Sequence, residues 1–142
     1  HGCHHTINYT REDFTAGVEE ITDGKGVPVV FDGVGADTFD GSLKSLSPFG
    51  VLASFGASSG PPPELTLAVL ATKALYITRP SLAPHTATAE LTKEIISPLF
   101  AAIRGGLSIT ISQTYALKDA ANAHRALQSR KTTGSTILEI QI

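Results

Sequence analysis

Apolar positions along the chain fall into two patterns that alternate from the amino terminus onward. Short runs that are almost entirely apolar are typical of strands in a parallel sheet, whereas apolar residues three or four positions apart are typical of helices packed on one face. Alternation of these two patterns is typical of parallel strand–helix–strand units. The sequence therefore predicts a mixed α/β fold.

Four short runs predict strands in the first half of the chain. Their sequences are HTINY (5–9), VPVVFD (27–32), VLASFG (51–56) and ALYITRP (74–80). Because VPVVFD is apolar at nearly every position, we expect this strand to be covered on both faces.

A first helix is predicted after residue 10. Thr10 and Asp13 match a capping-box pattern, and Phe14, Val18 and Ile21 then fall on one helical face. Further helices are predicted between the later strands. One carries Phe39, Leu43 and Leu46 and ends at Pro48 and Gly50, and a shorter one surrounds 67–72.

The second half of the chain predicts a long helix with Leu91, Ile95, Leu99 and Ile103 on one face. Ser97-Pro98 interrupts this pattern, and proline inside a helix is unfavourable, so we expect a kink or two stacked helices. The remaining predicted elements are a strand near 107–115, a helix over 118–129 and a closing strand over 134–142.

Composition narrows the functional classes. The net charge of -2 gives no basic excess for nucleic acid, and no apolar stretch is long enough to cross a membrane. No signal-peptide pattern is present at the start, so we expect a cytoplasmic protein. The single cysteine excludes an internal disulfide. The chain contains no methionine, which favours its being a fragment of a longer protein.

A glycine-containing turn follows the second predicted strand, in VVFDGVGADTF. A dinucleotide phosphate loop needs a third glycine where this sequence has Thr38, and an acidic residue at the end of the next strand, where Phe55 and Gly56 stand. We therefore interpret Gly33 and Gly35 as part of a tight strand-to-helix turn rather than as a phosphate cradle.

Histidines near the amino terminus suggest a metal site only superficially. Neighbouring residues of a strand point to opposite faces, so His4 and His5 would diverge, and we predict no metal site from His1, Cys3, His4 and His5. His124 falls on the predicted apolar stripe of its helix, where a hydrogen-bonded core histidine is expected.

Several stretches together resemble the C-terminal part of the zeta-crystallin-like NADPH:quinone oxidoreductases, a zinc-independent branch of the medium-chain dehydrogenase/reductase superfamily. The matching stretches are INYTREDF, VVFDGVGADTF, SLKSLSPFGVLASFGASSGP, LYITRPSL, YALKDAANAHRAL and SRKTTGST. They occur in the order found in that family.

The resemblance implies NADPH as the cofactor and assigns residues to its parts. Tyr9 and Arg130 would hold the 2′-phosphate, and Gly33 and Val34 would contact the adenosine and its ribose. The residues expected along the nicotinamide half are Ser54, Phe55, Gly56, Ala57, Pro80, Ser81 and Leu82. The family's substrate-pocket residues precede this segment, so we assign no catalytic residue.

For the fold, the resemblance implies a partial doubly wound, Rossmann-like parallel sheet plus a C-terminal α+β segment of the substrate-side domain. Residues 1–83 would belong to the dinucleotide-binding domain and 84–142 to the substrate-side domain. Strands 1 and 2 of the order 3-2-1-4-5-6 would be absent, so we expect HTINY (5–9) to pair with VPVVFD or to exchange between chains. A homodimer is expected through the edge strand near 74–80.

The function implied is hydride transfer from NADPH to a quinone or a related electron-poor enone by the full-length protein. Two alternatives remain from the sequence. One is an enoyl reductase of the same superfamily, and the other is a non-catalytic dimerisation or nucleotide-binding module.

Overall fold

A computed structural model describes residues 2–140 and separates the chain into two compact units, His1–Pro84 and His85–Ile142. Among the described residues, no helix is long and apolar enough to cross a membrane.

The first unit contains a three-stranded parallel sheet with the strand order β1-β2-β3. Its elements are α1 (Phe14–Ile21), β1 (Val27–Asp32), α2 (Phe39–Lys44), β2 (Leu46–Ser54), α3 (Leu67–Ala71) and β3 (Tyr76–Thr78). Helix α4 (Leu82–His85) follows the last strand. A parallel sheet with helical connections confirms the predicted α/β fold class.

The core of the first unit lies between α2 and one face of the sheet. Phe39 and Leu43 of α2 pack with Leu46 and Leu52 of β2, and Leu75 closes the cluster just before β3. Leu46 and Leu52 are completely buried. Burial of these five side chains, which come from different elements, is the main hydrophobic contribution to the stability of this unit.

The second unit contains a two-stranded parallel sheet formed by β4 and β5. Its elements are α5 (Ala89–Arg104), β4 (Ile111–Ala116), a 3-10 turn (Leu117–Asp119), α6 (Ala120–Gln128) and β5 (Ser135–Glu139). Ala123 is its only fully buried apolar residue within the described range. The strand predicted over 134–142 is confirmed over Ser135–Glu139. Gln141 and Ile142 lie outside the described residues.

The prediction of a strand at 5–9 is wrong. These residues have no ladder partner within the described chain, and Asn8 instead forms a turn in which its carbonyl accepts hydrogen bonds from the amides of Arg11 and Glu12. His5, Ile7 and Tyr9 face β1 across a cavity, so this segment does not pair with the strand.

Helix α1 begins three residues later than the capping-box pattern predicts. Asp13 is the N-cap, and its carboxylate accepts hydrogen bonds from the amide of Thr15 at 2.9 Å and from the hydroxyl of Thr15 at 2.7 Å. Thr10 donates its hydroxyl to the side chain of Asn8 instead. Ile21, predicted on the apolar face, is 43% exposed.

The boundary between α2 and β2 also differs from the prediction. The helix ends at Lys44, and Leu46, Pro48 and Gly50 all lie within β2. The pairing steps from Val27↔Leu46 to Val29↔Val51, so β2 accommodates extra residues through an irregularity where Phe49 adopts a positive φ of 63°. A strand irregularity of this kind tolerates proline and glycine, which sequence patterns associate with a helix end.

Strand β1 is not covered on both faces, contrary to the expectation from its apolar sequence. Phe31 is 76% exposed and Val29 is also exposed, whereas Asp32 is buried. Strand β1 is an edge of its sheet and pairs with β2 alone in the described chain. Apolar composition by itself cannot distinguish an edge strand with one open face from a central strand.

Two predictions for the second unit are corrected. Helix α5 is continuous from Ala89 to Arg104 with Pro98 inside it, so the alternative of two stacked helices is wrong, while the kink stays a prediction. His124 is exposed rather than a core residue, because α6 buries the face that carries Ala123. A shift of one helical position separates the predicted face from the observed one.

Gly35 is the glycine whose conformation the first unit depends on most directly. Its φ is +90°, and a Cβ at this position would collide with the carbonyl oxygen of Gly60. We expect Gly35→Ala to lower the free energy of unfolding by at least about 3 kcal/mol, since backbone strain and a backbone clash combine. Urea unfolding followed by circular dichroism measures this change.

Gly24→Ala is the matched control for this substitution. Gly24 has a φ of +74° but no atom within 4 Å of the added Cβ, so only backbone strain of about 1 kcal/mol is expected. Equal losses of stability in the two variants would contradict the close packing of Gly35 against Gly60.

Candidate functional site

The carboxyl end of β1 is organised by the buried side chain of Asp32, which is 3% exposed. Its carboxylate accepts hydrogen bonds from the amides of Val34 at 2.8 Å and Gly35 at 3.0 Å. It also accepts the hydroxyls of Thr38 at 2.9 Å and Ser42 at 2.8 Å. One carboxylate thus connects the end of β1, the following turn and α2.

These contacts explain the protonation state of Asp32. Burial acts to raise the pKa of this carboxyl, but the hydrogen bonds from Gly35, Ser42, Val34 and Thr38 outweigh burial and hold the pKa below its ordinary value of 3.8. Asp32 is therefore ionised at neutral pH, and uncharged hydrogen-bond donors of the chain stabilise its negative charge.

The same contacts show why the glycine turn is not a phosphate cradle. An anion bound in such a turn needs free backbone amides, and the amides of Val34 and Gly35 already donate to the carboxylate of Asp32. Thr38, which stands where a phosphate loop has glycine, donates its hydroxyl to the same carboxylate. The interpretation of this stretch as a tight strand-to-helix turn agrees with the geometry.

A second loop, 56–60, lies directly against this turn. The amide of Ser59 donates to the carbonyl of Val34 at 2.8 Å, and the amide of Ala36 donates to the carbonyl of Gly60 at 3.1 Å. A Cβ on Gly56 would come within 2.5 Å of the carbonyl oxygen of Gly33, so the two backbones are in contact. The ends of β1 and β2 therefore form one hydrogen-bonded surface at the carboxyl edge of the sheet.

A cavity of about 310 Å³ opens beside this surface within the first unit. Tyr9, Gly33 and Val34, three of the residues assigned to NADPH from the sequence, line it together. The rest of the lining is mostly apolar and comes from the segment 5–9, α1, β1 and α2. Ligands of open α/β sheets bind at the carboxyl ends of strands, and this cavity has that location.

The other predicted site residues occupy three places. Ser54 ends β2 and is buried, and Phe55 follows it with a ring that is 57% exposed and packs over Gly33. Pro80, Ser81 and Leu82 follow β3 and are exposed. Arg130 belongs to the second unit, where it follows α6 with a positive φ of 57°.

Sequence reasoning missed two residues of this site. The sequence analysis assigns no role to Asp32. An acidic residue at the end of an apolar strand, followed by hydroxyl residues at Thr38 and Ser42, is a recognisable signal of a hydrogen-bonded strand end. Arg79 lies in the matching stretch LYITRPSL, but the sequence analysis assigns it no role of its own. Its guanidinium Nη1 donates to the carbonyls of Ser54 at 2.9 Å and Gly56 at 3.2 Å.

Comparison with known proteins identifies the family. A family profile described as zinc-binding dehydrogenase matches residues 1–138. The chain belongs to the zinc-binding dehydrogenase family. The chain is 46% identical to a quinone oxidoreductase of Pseudomonas aeruginosa over 97% of its own length, and 41% identical to a 2-haloacrylate reductase of Burkholderia sp. over 96%.

A solved structure agrees with these relatives. Escherichia coli quinone oxidoreductase complexed with NADPH matches 93% of the chain with a TM-score of 0.87 and 44% identity. The chain spans 42% of that structure, and 43% and 42% of the lengths of the Pseudomonas and Burkholderia relatives. The predicted resemblance to the C-terminal part of the quinone oxidoreductases is confirmed, and so is the Rossmann-like fold class.

The family description mentions zinc, so we tested whether the chain offers ligands for it. Among residues 2–140, no three His, Cys, Asp or Glu side chains are grouped so that they could hold a metal ion. His1, which was considered with Cys3, His4 and His5, lies outside the described residues. The described side chains do not fit a zinc site.

We expect Asp32→Asn to lower the free energy of unfolding by more than about 2 kcal/mol, because a neutral amide keeps one acceptor oxygen and turns an NH₂ group towards donors. The wild-type pKa is lowered in the folded state, so its stabilising contribution is present above pH 3.8 and is lost as pH falls through the folded value. Urea unfolding at several pH values between about 2 and 7 measures both effects.

Asp23→Asn is the matched control, since Asp23 is exposed with a positive φ of 50° that asparagine tolerates. The control should keep the wild-type stability and its decline at low pH. An Asp32→Asn chain with the same pH profile as the wild type would contradict the role given to this carboxylate.

Proposed function

We propose that this chain is the C-terminal part of an enzyme that transfers hydride from NADPH to a quinone or a related electron-poor enone. The observation that carries the proposal is the shared cavity of Tyr9, Gly33 and Val34 at the carboxyl end of β1. The resemblance assigns these same residues to the cofactor. The family match and the NADPH-bound Escherichia coli relative support this choice of ligand.

The residues present fit the adenosine half of a dinucleotide better than its pyrophosphate. The amides of Val34 and Gly35 already donate to the carboxylate of Asp32. A ligand could therefore pack against the turn, but these two amides could not donate to a phosphate. A rigid glycine turn next to an apolar cavity suits a purine and a ribose. The pyrophosphate would have to be bound outside this turn.

The nicotinamide half would lie along Ser54–Ala57 and towards Pro80, Ser81 and Leu82. Phe55 offers an exposed apolar ring, and Gly56 allows close approach of a ligand to the backbone. NADPH supplies the hydride when it is bound, and the protein's contribution here is to hold it and exclude water. We assign no proton transfer to this part of the chain.

In this proposal residues 1–83 supply the cofactor side, and residues 84–142 supply the substrate side. The resemblance assigns Tyr9 and Arg130 each to the 2′-phosphate that distinguishes NADPH from NADH. A phenol can donate one hydrogen bond to phosphate, and a guanidinium offers a charged fork of donors.

The nature of the acceptor is inferred from relatives. The Pseudomonas aeruginosa relative is a quinone oxidoreductase and the Burkholderia relative is a 2-haloacrylate reductase, so both names describe reductases, one of a quinone and one of an electron-poor alkene. An enoyl reductase of thioester substrates is not favoured by these relatives. A non-catalytic nucleotide-binding module remains the outcome if binding occurs without turnover in the full-length protein.

We expect this chain to bind NADPH more tightly than NADH, and Arg130→Ala to remove most of the difference. Loss of a charged hydrogen bond to phosphate should weaken NADPH binding about tenfold or more, with NADH unaffected. Titrations followed by cofactor fluorescence measure both dissociation constants.

Arg125→Ala is the control, because Arg125 is an exposed arginine of α6 that bonds Asn122 in its own helix. Its NADPH affinity should equal that of the wild type. Equal affinities for NADPH and NADH in the wild-type chain would contradict the 2′-phosphate assignment.

We further propose a homodimer that forms through β3. This strand is an edge of its sheet, and Tyr76 on it is 61% exposed. An exposed edge with an aromatic side chain can pair with the same edge of a second copy. The register β2–β3 leaves one side of β3 unpaired within the described chain.

We expect sedimentation velocity to detect a dimer of the wild-type chain and Tyr76→Glu to shift it towards monomer, because two like charges would face each other across the symmetric interface. Leu67→Glu is the control, since Leu67 is an 81% exposed apolar residue on α3 and not on the edge strand. Dissociation by both variants, or by neither, would contradict an interface at β3.

A further inference from the structure

The segment Ser54–Gly56 leaves the end of β2 and is held from two sides. On the side of β1, the carbonyl of Asp32 accepts hydrogen bonds from the amides of Phe55 at 2.9 Å and Gly56 at 3.3 Å. On the side of β3, the side chain of Arg79 contacts the same segment. The amides of Phe55 and Gly56 thus bond to β1, and the carbonyls of Ser54 and Gly56 bond to Arg79.

Arg79 follows β3 directly and reaches back over the end of β2. Its Nη1 atom donates to the carbonyl of Ser54 at 2.9 Å and to the carbonyl of Gly56 at 3.2 Å, and lies 3.4 Å from the hydroxyl of Ser54. Two carbonyls on either side of Phe55 therefore converge on one guanidinium nitrogen. This arrangement fixes the path of the backbone at Phe55 more closely than a strand end alone would.

The opposite side of the same segment is equally restricted. Gly56 lies against the backbone of Gly33, where no Cβ could fit, and the ring of Phe55 packs over Gly33. The turn that follows Gly33 is held separately, because the amides of Val34 and Gly35 donate to the carboxylate of Asp32. The contacts of Arg79 therefore act on Ser54–Gly56 and not on that turn.

We propose that Arg79 is a positioning residue that shapes the nicotinamide half of the NADPH site by holding Ser54–Gly56. The inference rests on the proposed function, because only that proposal places this segment along the cofactor. Arg79 acts through the backbone of the segment, so its loss should affect the nicotinamide half of the ligand and spare the adenosine half at Gly33 and Val34.

The test compares two ligands that share the adenosine half. NADPH reaches both halves of the site, whereas adenosine 2′,5′-bisphosphate reaches only the adenosine side. We expect Arg79→Gln to weaken NADPH binding by this chain about fivefold, because the ligand would then have to order Ser54–Gly56 as it binds, and to leave binding of the bisphosphate unchanged. Isothermal titration calorimetry measures both dissociation constants.

Two further variants separate positioning from a general loss of folding. Arg79→Lys keeps the charge but cannot span both carbonyls with a planar group, so NADPH affinity should fall between those of wild type and Arg79→Gln. Arg125→Lys, on the exposed face of α6, should bind both ligands as the wild type does. Circular dichroism melts of all variants identify any that unfold, in which case Arg79→Lys provides the comparison.

The outcomes are distinguishable. Weaker NADPH binding with unchanged bisphosphate binding supports the inference. Unchanged NADPH binding in folded Arg79→Gln and Arg79→Lys overturns it and leaves the proposed function intact, and equal weakening of both ligands overturns it in favour of a purely structural role. Failure of the wild-type chain to bind either ligand contradicts the cofactor proposal and this inference with it.

Discussion

The ionised carboxylate of Asp32 is the interaction on which the carboxyl edge of the first unit depends. It is nearly completely buried, and the hydrogen bonds that it accepts from two amides and two hydroxyls require the turn after β1 and the start of α2 to adopt one geometry. A buried charge without hydrogen-bond partners has a high free energy. The folded state therefore keeps the donors and the carboxylate in fixed relative positions. Because the main-chain carbonyl of Asp32 also holds Phe55 and Gly56, the same residue connects β1 to β2.

This arrangement separates two tasks that a glycine-rich turn can perform. In a phosphate loop the amides are left for the ligand, whereas here the chain's own carboxylate occupies them. The turn is consequently held in place before any ligand binds. It can contact a ligand in the neighbouring cavity through its surface, but not through these amides. Arg79 has a comparable role at the end of β2. Its side chain donates hydrogen bonds to backbone carbonyls that would otherwise bond to water.

The two units differ in how much apolar surface they bury. The first has a compact cluster around Leu46 and Leu52, while the second leaves most of the apolar positions of α5 exposed, among them Leu99 and Phe100. Amphipathic helices of this type normally bury their apolar face against another element. Most of the apolar face of α5 is exposed in the described chain, which spans 42% to 43% of the lengths of the relatives compared with it.

The sequence by itself determined the fold class, the order of most strands and helices, and the family, because apolar periodicity and motif order are local properties of the chain. It predicted β1 correctly and identified the turn at Gly33 and Gly35 as something other than a phosphate cradle, since the missing glycine at Thr38 is visible in the sequence. Only the tertiary structure decided that 5–9 is not a strand, that β2 begins at Leu46, and that Asp32 and Arg79 hold the site. Arg79 contacts residues 23 and 25 positions away, β2 begins where it pairs with β1, and 5–9 has no ladder neighbour within the described chain, so no local pattern contains these features. The donors to Asp32 are at most 10 residues away, but sequence spacing does not show that they converge on one carboxylate.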